Sequence, residues 1–232
     1  MCHSLGGVVA TLATLWVLEK RLRQSSPFCI TFGCPLVGDV GLFEAVGREN
    51  WTSNFCHVIS KHDIVPRMLL APFESIAESL RAILPYWQDI MANDNEIVAD
   101  SFIEDACRTL HNNVMQYTCT VANYGLDSPR ELDGTIKRSP YRPFGTFMFC
   151  SVEGIACIDN SEAVLKILHL SMQSTENAHD NIVQAFFQEH ICYGSVLRHA
   201  IEKSISGRRS ATSDTESSYK MGISLQLEAI GV

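Results

Sequence analysis

Positive charge is scarce in this sequence, and so are long apolar runs and regular cysteine spacings. The 232 residues include 18 Lys and Arg against 26 Asp and Glu, which gives a formal net charge of −8. An acidic chain without a long basic run is a poor candidate for binding the phosphate backbone of nucleic acids or for docking to anionic lipid. The composition therefore argues against both kinds of partner.

No apolar run is long enough to cross a membrane. The N-terminal stretch over 8–18 is interrupted by Thr11 and Thr14 and stops at Glu19, whereas a membrane-spanning helix needs roughly 20 apolar residues. The same stretch lacks the basic region that begins a secretory signal peptide. We therefore expect neither a transmembrane segment nor a signal peptide.

The nine cysteines are odd in number and show no CxxC spacing. Several lie within apolar runs, such as Cys29 between Phe28 and Ile30, where a free cysteine behaves as a small buried hydrophobe. This pattern favours reduced thiols in an intracellular compartment over a framework of disulfides.

The composition is otherwise that of a globular protein, with 46% hydrophobic and 19% charged residues. The apolar residues that follow Gly6-Gly7 have helical spacing. Residues 28–32 and 54–60 are typical of short buried strands, and residues 39–50 of a helix between them. Helix, strand, helix, strand predicts a parallel sheet of the α/β class.

Helices dominate the prediction for the rest of the chain. Two of them, 72–91 and 97–124, follow the second strand with few strand signals between them. A hairpin is predicted further on, over 144–151 and 154–159. The other predictions are a hairpin turn at Glu153-Gly154, a helix from Asn160 or Ser161 to about Gln173, a break near 177–180, polar segments at 127–138 and 204–218, and a final helix over 219–230.

Ser4 is the first candidate for chemistry. It stands in His3-Ser4-Leu5-Gly6-Gly7, and a serine on a sharp turn between a strand and a helix can be an acyl-transfer nucleophile. The helix N-terminus and the amide of Leu5 would then stabilise an oxyanion. The usual pattern is G-x-S-x-G, but Cys2 takes the first glycine position, where we expect its side chain to crowd the helix against the sheet. The alternative is that Ser4 merely caps the helix.

Asp63 and His190 are the candidates for an acid and a base. Asp63 directly follows the predicted strand 54–60, where an aspartate can orient a histidine and stabilise its imidazolium; the alternative is a loop cap or a pair with Arg67. His190 lies near a predicted helix end, and histidine titrates near neutrality, but a lone histidine there can also be a helix cap or a surface residue. The order Ser, Asp, His is that of α/β-hydrolases.

A metal site is the weaker interpretation of the histidines and cysteines. Neither His190-x-Cys192 nor His57 with His62 has the ligand spacing of a tetrahedral site. We therefore expect no metal ion and no cofactor.

Several segments resemble known families. CHSLGGVVATLATLWVLE resembles the GHS-x-GG elbow and helix of class 3 lipases, CITFGCPLVGD their next strand and loop, and HVISKHDIVPR their strand and acid loop. SPYRPFGTFMFCSVEG, CIDNSEAVLKIL and EHICYGSVL are similar to segments of the plant immune regulators called enhanced disease susceptibility, phytoalexin deficient and senescence-associated carboxylesterase. The resemblance covers nearly the whole chain.

The resemblance implies a class 3 lipase-like α/β-hydrolase fold with helices on both faces of the sheet and an inserted helical pair over 72–124. It implies Ser4 as nucleophile, Asp63 as acid, His190 as base and Leu5 as an oxyanion donor. Members of this group pair with one another through their lipase-like domains. We therefore expect a heterodimer with a family member, a cytoplasmic and nuclear location, and an acyl ester or another small molecule as the candidate ligand. An active serine carboxylesterase or lipase is the alternative.

The chain also departs from the family pattern. The family places several strands before the elbow, so the resemblance implies that 1–203 is an N-terminally truncated hydrolase domain, of low solubility and weak as a catalyst. After the linker over 204–218, residues 219–232 resemble the beginning of the group's helical C-terminal domain. The leucine-rich helix of the enhanced disease susceptibility branch is absent before SPYRP, and LQLEAIG resembles the senescence-associated carboxylesterase branch. We predict that branch, with the phytoalexin deficient branch as the second choice.

Overall fold

A single sheet with helices on both faces organises the chain. The computed structural model describes residues 1–20, 26–93, 101–124, 140–151, 154–173 and 182–210. Five strands are hydrogen-bonded in the order β1-β2-β3-β4-β5. They are β1 Cys2–His3, β2 Cys29–Phe32, β3 Phe55–Ser60, β4 Thr146–Ser151 and β5 Gly154–Ile158.

The first four strands are parallel and the fifth is antiparallel to the fourth. Cys29 lies opposite Phe55 across β2 and β3, so the predicted parallel pairing of these two segments is confirmed. The predicted hairpin is confirmed as well, with Phe147 of β4 opposite Ile158 of β5. The carboxyl ends of the parallel strands meet at one edge of the sheet, where open α/β sheets place their ligands.

Seven helices connect these strands within the described residues. Asp39 caps the second helix by accepting from the Leu42 amide at 3.0 Å, and Asn160 rather than Ser161 caps the fifth, accepting from the Ala163 amide at 2.9 Å. The helices are α1 Leu5–Lys20, α2 Val40–Arg48, α3 Phe73–Asn93, α4 Ser101–Tyr124, α5 Ser161–Gln173, α6 Ile182–Ile191 and α7 Tyr193–Ser210, with short 3-10 helices at Thr52–Asn54 and Val65–Leu70.

Successive side chains of a strand point to opposite sides of the sheet. Both faces of the sheet are buried. Ile59 and Phe149 belong to the large core that also contains residues of α3, α4 and α5. Val58 and Cys150, on the other face, pack with residues of α7. The predicted helices on both faces are therefore confirmed. The helical pair α3–α4 is inserted between β3 and β4, as predicted.

Helix α1 is apolar around most of its circumference. Its buried residues are Gly7 and Thr11, and the Thr11 hydroxyl donates to the Gly7 carbonyl at 2.8 Å. On another face, four large apolar side chains stand 51–67% exposed to solvent in the part of the chain that the structure describes. They are Leu5, Val9, Leu12 and Trp16.

One predicted boundary needs correction, and some predictions fall outside the described residues. Helix α7 continues to Ser210, so the first part of the predicted 204–218 linker is helical, because tertiary context can override weak local propensity. No described helix is long and apolar enough to cross a membrane. The segments outside are 97–100 at the start of the predicted second helix of the pair, 127–138, the first residue of the hairpin turn, the break near 177–180, 211–218 and the final helix over 219–230.

Candidate active site

Ser4 lies alone between the end of β1 and the start of α1. Its φ of 55° is in the left-handed region, which is uncommon for a residue other than glycine. The turn is fixed by two backbone bonds, from the Ser4 amide to the Phe32 carbonyl at 2.9 Å and from the Gly7 amide to the Ser4 carbonyl at 2.9 Å. Ser4 thus occupies the sharp strand-to-helix turn that a nucleophile elbow requires.

The close approach of α1 to the sheet takes place at Gly7. A Cβ at Gly7 would lie 2.8 Å from the Cβ of Cys34 and 3.1 Å from that of Thr31, so only glycine allows this packing. Cys2 is half-buried, and a Cβ at Gly6 would stand 3.8 Å from the Cβ of Cys2, an ordinary contact distance. The crowding that we expected from Cys2 is therefore not observed.

Asp63 and His190 form a buried pair. Nδ1 of His190 donates to both carboxylate oxygens of Asp63, at 3.0 and 2.9 Å, and both side chains are 0% exposed. Asp63 lies in the loop after β3, and His190 is the penultimate residue of α6. The sheet edge brings together two of the three predicted residues in the arrangement that orients a catalytic imidazole.

Tyr193 is a further partner of the acid. Its hydroxyl donates to Oδ2 of Asp63 at 2.6 Å and accepts from the Ser60 amide at 3.0 Å. Burial and then the charge of Asp63 raise the pKa of Tyr193 well above its usual value, so the phenol stays a donor at neutral pH. The sequence signal for this contact is the tyrosine in EHICYGSVL, three residues after His190.

Gly33 was also missed, although it belongs to the CITFGCPLVGD segment. Its φ is 55°, and a Cβ there would lie 2.5 Å from Oδ2 of Asp63 and 2.9 Å from the ring of His190. The chain therefore passes against the buried pair with no room for a side chain. A glycine directly after a buried strand is the signal that could have shown this.

Among the described residues, no hydrogen bond joins His190 to Ser4. Nε2 of His190 is buried and has no hydrogen-bond partner among the described residues, so the row of hydrogen bonds that we expected stops at the base. Two rings enclose the imidazole. His3 lies at a centroid distance of 4.3 Å and Trp87, from the inserted helical pair, at 4.6 Å and nearly perpendicular. The catalytic roles of Ser4, Asp63 and His190 stay predictions.

The side chain of His3, the residue before Ser4, contacts His190. Its Nε2 donates to the backbone carbonyl of His190 at 2.7 Å. Burial first, and then the charge of His190, lower the pKa of His3, which favours the neutral ring. His3 precedes Ser4 and was read only as part of the elbow motif, so its contact across the chain was not foreseen.

The space beside Trp87 is apolar and small. Trp87 borders a cavity of about 10 Å³, room for roughly one water molecule. The cavity therefore has no room for an acyl chain. The residues around it are Ile64, Met68, Leu80, Ile83, Trp87, Cys107, Leu110 and Phe187.

Leu5 is the candidate oxyanion donor. Leu5 is the first residue of α1, so its amide is one of the N–H groups that a helix leaves without an intrahelical partner; its role as oxyanion donor stays a prediction. No cluster of three or more His, Cys, Asp or Glu side chains suited to a metal ion occurs among the residues that the structure describes.

The parallel sheet with helices on both faces and the sharp strand-to-helix turn at Ser4 place this chain in the class of α/β-hydrolase-like folds. The family described as Lipase (class 3) matches residues 2–73, the span that contains Ser4, Gly33 and Asp63. Comparison with curated proteins narrows this class. The chain belongs to the lipase-like family of plant proteins that includes EDS1, PAD4 and senescence-associated carboxylesterase 101.

Three relatives from Arabidopsis thaliana show the extent of the similarity. Protein EDS1 is 36% identical over 187 residues, which are 75% of this chain and 29% of EDS1. Lipase-like PAD4 is 29% identical over 238 residues, 99% of this chain and 29% of PAD4. Senescence-associated carboxylesterase 101 is 41% identical over 71 residues, 30% of this chain and 13% of that protein.

The chain thus spans about 30% of the length of the first two of these relatives. The match to the carboxylesterase covers much less of the chain than the other two matches. Assignment to that branch therefore stays a prediction.

Proposed function

We propose that this chain is the lipase-like module of a plant defence-signalling regulator that pairs with another member of its family in the cytoplasm and nucleus. The observation that carries the proposal is the enclosure of His190, which is 0% exposed and packs against the rings of His3 and Trp87. In the part of the chain that the structure describes, an ester could not reach a base that is closed to solvent. Similarity to a protein named lipase-like supports the same interpretation.

The test of pairing is co-purification. This chain, carrying an affinity tag, is expressed together with each of EDS1, PAD4 and senescence-associated carboxylesterase 101, and with an unrelated α/β-hydrolase as control. We expect a stable one-to-one complex with at least one relative and none with the control. Failure to bind any family member, by a chain that is folded by circular dichroism, would reject the module.

A second candidate function is hydrolysis of acyl esters. It is favoured by the elbow of Ser4 and by the bond from His190 to Asp63. In this reaction the Ser4 hydroxyl would attack the ester carbonyl, Nε2 of His190 would take its proton, and the Leu5 amide would stabilise the oxyanion. His190 would then give that proton to the departing alcohol, which leaves the acyl group on Ser4. Water would next lose a proton to His190 and attack the acyl carbon, and transfer of that proton to the Ser4 oxygen would free the serine and a carboxylic acid. The reaction requires Trp87 or His3 to move away from His190.

A fluorophosphonate probe discriminates between the two candidates, since it labels an activated serine covalently. Labelling that disappears in Ser4→Ala would establish the hydrolase, and turnover of a short-chain nitrophenyl ester would then be measured beside the same variant. We expect little turnover from this chain. No labelling of a folded chain would leave the interaction module as the function.

A further inference from the structure

Two histidine–carboxylate pairs lie side by side next to the sheet edge. The loop after β3 contains His62-Asp63, and the end of α6 contains Glu189-His190. Asp63 binds His190 at 2.9 Å, and Nδ1 of His62 donates to Oε1 of Glu189 at 2.6 Å. Each dipeptide thus contributes one carboxylate and one histidine. In each pair the two partners come from different segments, one from the loop and one from α6.

The carboxylate of Glu189 accepts three hydrogen bonds from the end of β3 and from the loop that follows it. Besides the His62 ring, it accepts from the backbone amide of His62 at 2.7 Å and from the hydroxyl of Ser60. These groups lie one and three residues before Asp63. Although burial raises the pKa of Glu189, the hydrogen bonds from His62 and Ser60 together lower it below its ordinary value. The carboxylate is therefore ionised at neutral pH, and bonds to an ionised acceptor are the strong ones.

Apart from the bond between Asp63 and His190 itself, the other anchors of the loop do not reach α6. Arg67 binds the carbonyls of Ser60, Lys61 and Asp63, but it follows the loop directly in the chain. Tyr193 binds Asp63 from α7. The three bonds of Glu189 join Ser60 and His62 to the helix that carries His190.

We propose that Glu189 is a positioning residue, which clamps the loop after β3 to α6 and thereby keeps Asp63 in register with His190. His62 is its partner in the clamp. The inference concerns the same site as the hydrolase candidate and rests on that candidate only for its activity readout. Its structural readout needs no catalysis.

The experiment compares Glu189→Ala with Gln188→Ala in the full chain. Gln188 is the exposed neighbour on the same helix, so it controls for substitution at this position of α6. The first readout is the low-field proton resonance of Nδ1 in His190, assigned with His190→Gln. A proton held against a buried carboxylate gives such a resonance, and a residue that only adds stability would not move it. The second readout is the rate of fluorophosphonate labelling at Ser4.

We expect the His190 resonance to shift or disappear in Glu189→Ala and to stay unchanged in Gln188→Ala. If the chain labels, the rate should fall about 10²-fold in Glu189→Ala, since a displacement near 1 Å is enough for such a loss. The isosteric Glu189→Gln, which keeps one acceptor oxygen, should retain part of the rate. Loss of the resonance in a chain that never labels would support the clamp and reject the hydrolase.

A second variant covers the case in which Glu189→Ala does not fold. His62→Gln removes the ring from the clamp and leaves Glu189 and its bond to the amide in place, so we expect a smaller change of the same resonance. The proposal is overturned if a folded Glu189→Ala, or His62→Gln in its place, keeps the resonance and the labelling rate of Gln188→Ala.

Discussion

The guanidinium of Arg67 is fully buried and organises the loop that carries the acid. It donates to the carbonyls of Ser60, Lys61 and Asp63 and to the Ser171 hydroxyl at 2.7 Å. At the sequence level, a pair between Arg67 and the Asp63 carboxylate was the alternative to a catalytic acid. The structure shows the arginine on the backbone carbonyl instead, which leaves the carboxylate to His190 and Tyr193.

Arg67→Met should lower the free energy of unfolding by at least about 1–3 kcal/mol, because the backbone carbonyls of Lys61 and Asp63 lose their Arg67 donor. Arg48→Met is the matched control, since the side chain of Arg48 is 73% exposed and should change stability little. Urea denaturation of both variants measures the difference. Equal midpoints would contradict the role given to Arg67.

Gly33→Ala should destabilise the fold by more than about 1 kcal/mol, because alanine is strained at a φ of 55°. The added Cβ would also press on Asp63 and His190. Gly47→Ala is the control, in a helix and with nothing within 4 Å of the added carbon; it should stabilise by about 0.5–1 kcal/mol. Thermal unfolding of the pair gives the comparison, and a Gly33→Ala chain as stable as Gly47→Ala would refute the expectation.

Individual site residues differ in how far sequence could reveal them. Ser4, Asp63 and His190 each stand in a motif whose order is informative, so they could be proposed in advance. Glu189 and Tyr193 act through hydrogen bonds to residues more than 120 positions away. Such contacts depend on how α6 and α7 pack against the sheet edge, and no local pattern encodes that packing.

At the level of elements, α3 determines access to the base. Trp87 packs its ring against His190 at 4.6 Å and against Phe187 at 5.6 Å. We expect Trp87→Ala to open His190 to diethyl pyrocarbonate, which modifies accessible neutral imidazoles. Mass spectrometry of the peptide that contains His190 measures the rate. Trp16→Ala is the control, because Trp16 is exposed on α1; equal rates in the two variants would show that Trp87 is not the barrier.

The strands and the helical pair were predictable because their signals are local. Short apolar runs bounded by turn residues gave 28–32 and 54–60 for strands that the structure places at Cys29–Phe32 and Phe55–Ser60. The end of α7 could not be predicted, since the Ser, Gly and Arg residues after 203 are typical of a linker. The position of α3 over His190 could not be predicted from the sequence, because it depends on tertiary packing.

For the molecule as a whole, His57 in the central strand makes stability depend on pH. Burial lowers the pKa of His57 to about 4, although a hydrogen bond to the Phe144 carbonyl raises it in part. The ring is neutral when folded and accepts from the Thr31 hydroxyl at 2.7 Å. In the unfolded chain the same histidine titrates near 6.5, so acid protonates the unfolded state first.

The stability due to this group is therefore complete above pH 6.5 and is lost as the pH falls toward 4, by about 3 kcal/mol in total. Urea denaturation at several pH values between 7.5 and 4.5 measures the slope. His57→Gln, which can keep one donor and one acceptor, should flatten it, whereas His199→Gln on an exposed position of α7 should not. An unchanged slope in His57→Gln would assign the acid sensitivity elsewhere.

Asp63 is synthesised well before His190, because the two residues are far apart along the chain. Asp63 and His190 are 127 residues apart, and at roughly 5–20 residues per second the ribosome needs roughly 6–25 s to make that interval. During most of this time the chain contains Asp63 and Arg67 but neither the histidine nor the Ser171 hydroxyl that they bind in the fold. Parallel strands joined by long crossovers also fold slowly. The nascent chain therefore passes through a stage with exposed apolar strands and solvated charges, in which chaperones would recognise it.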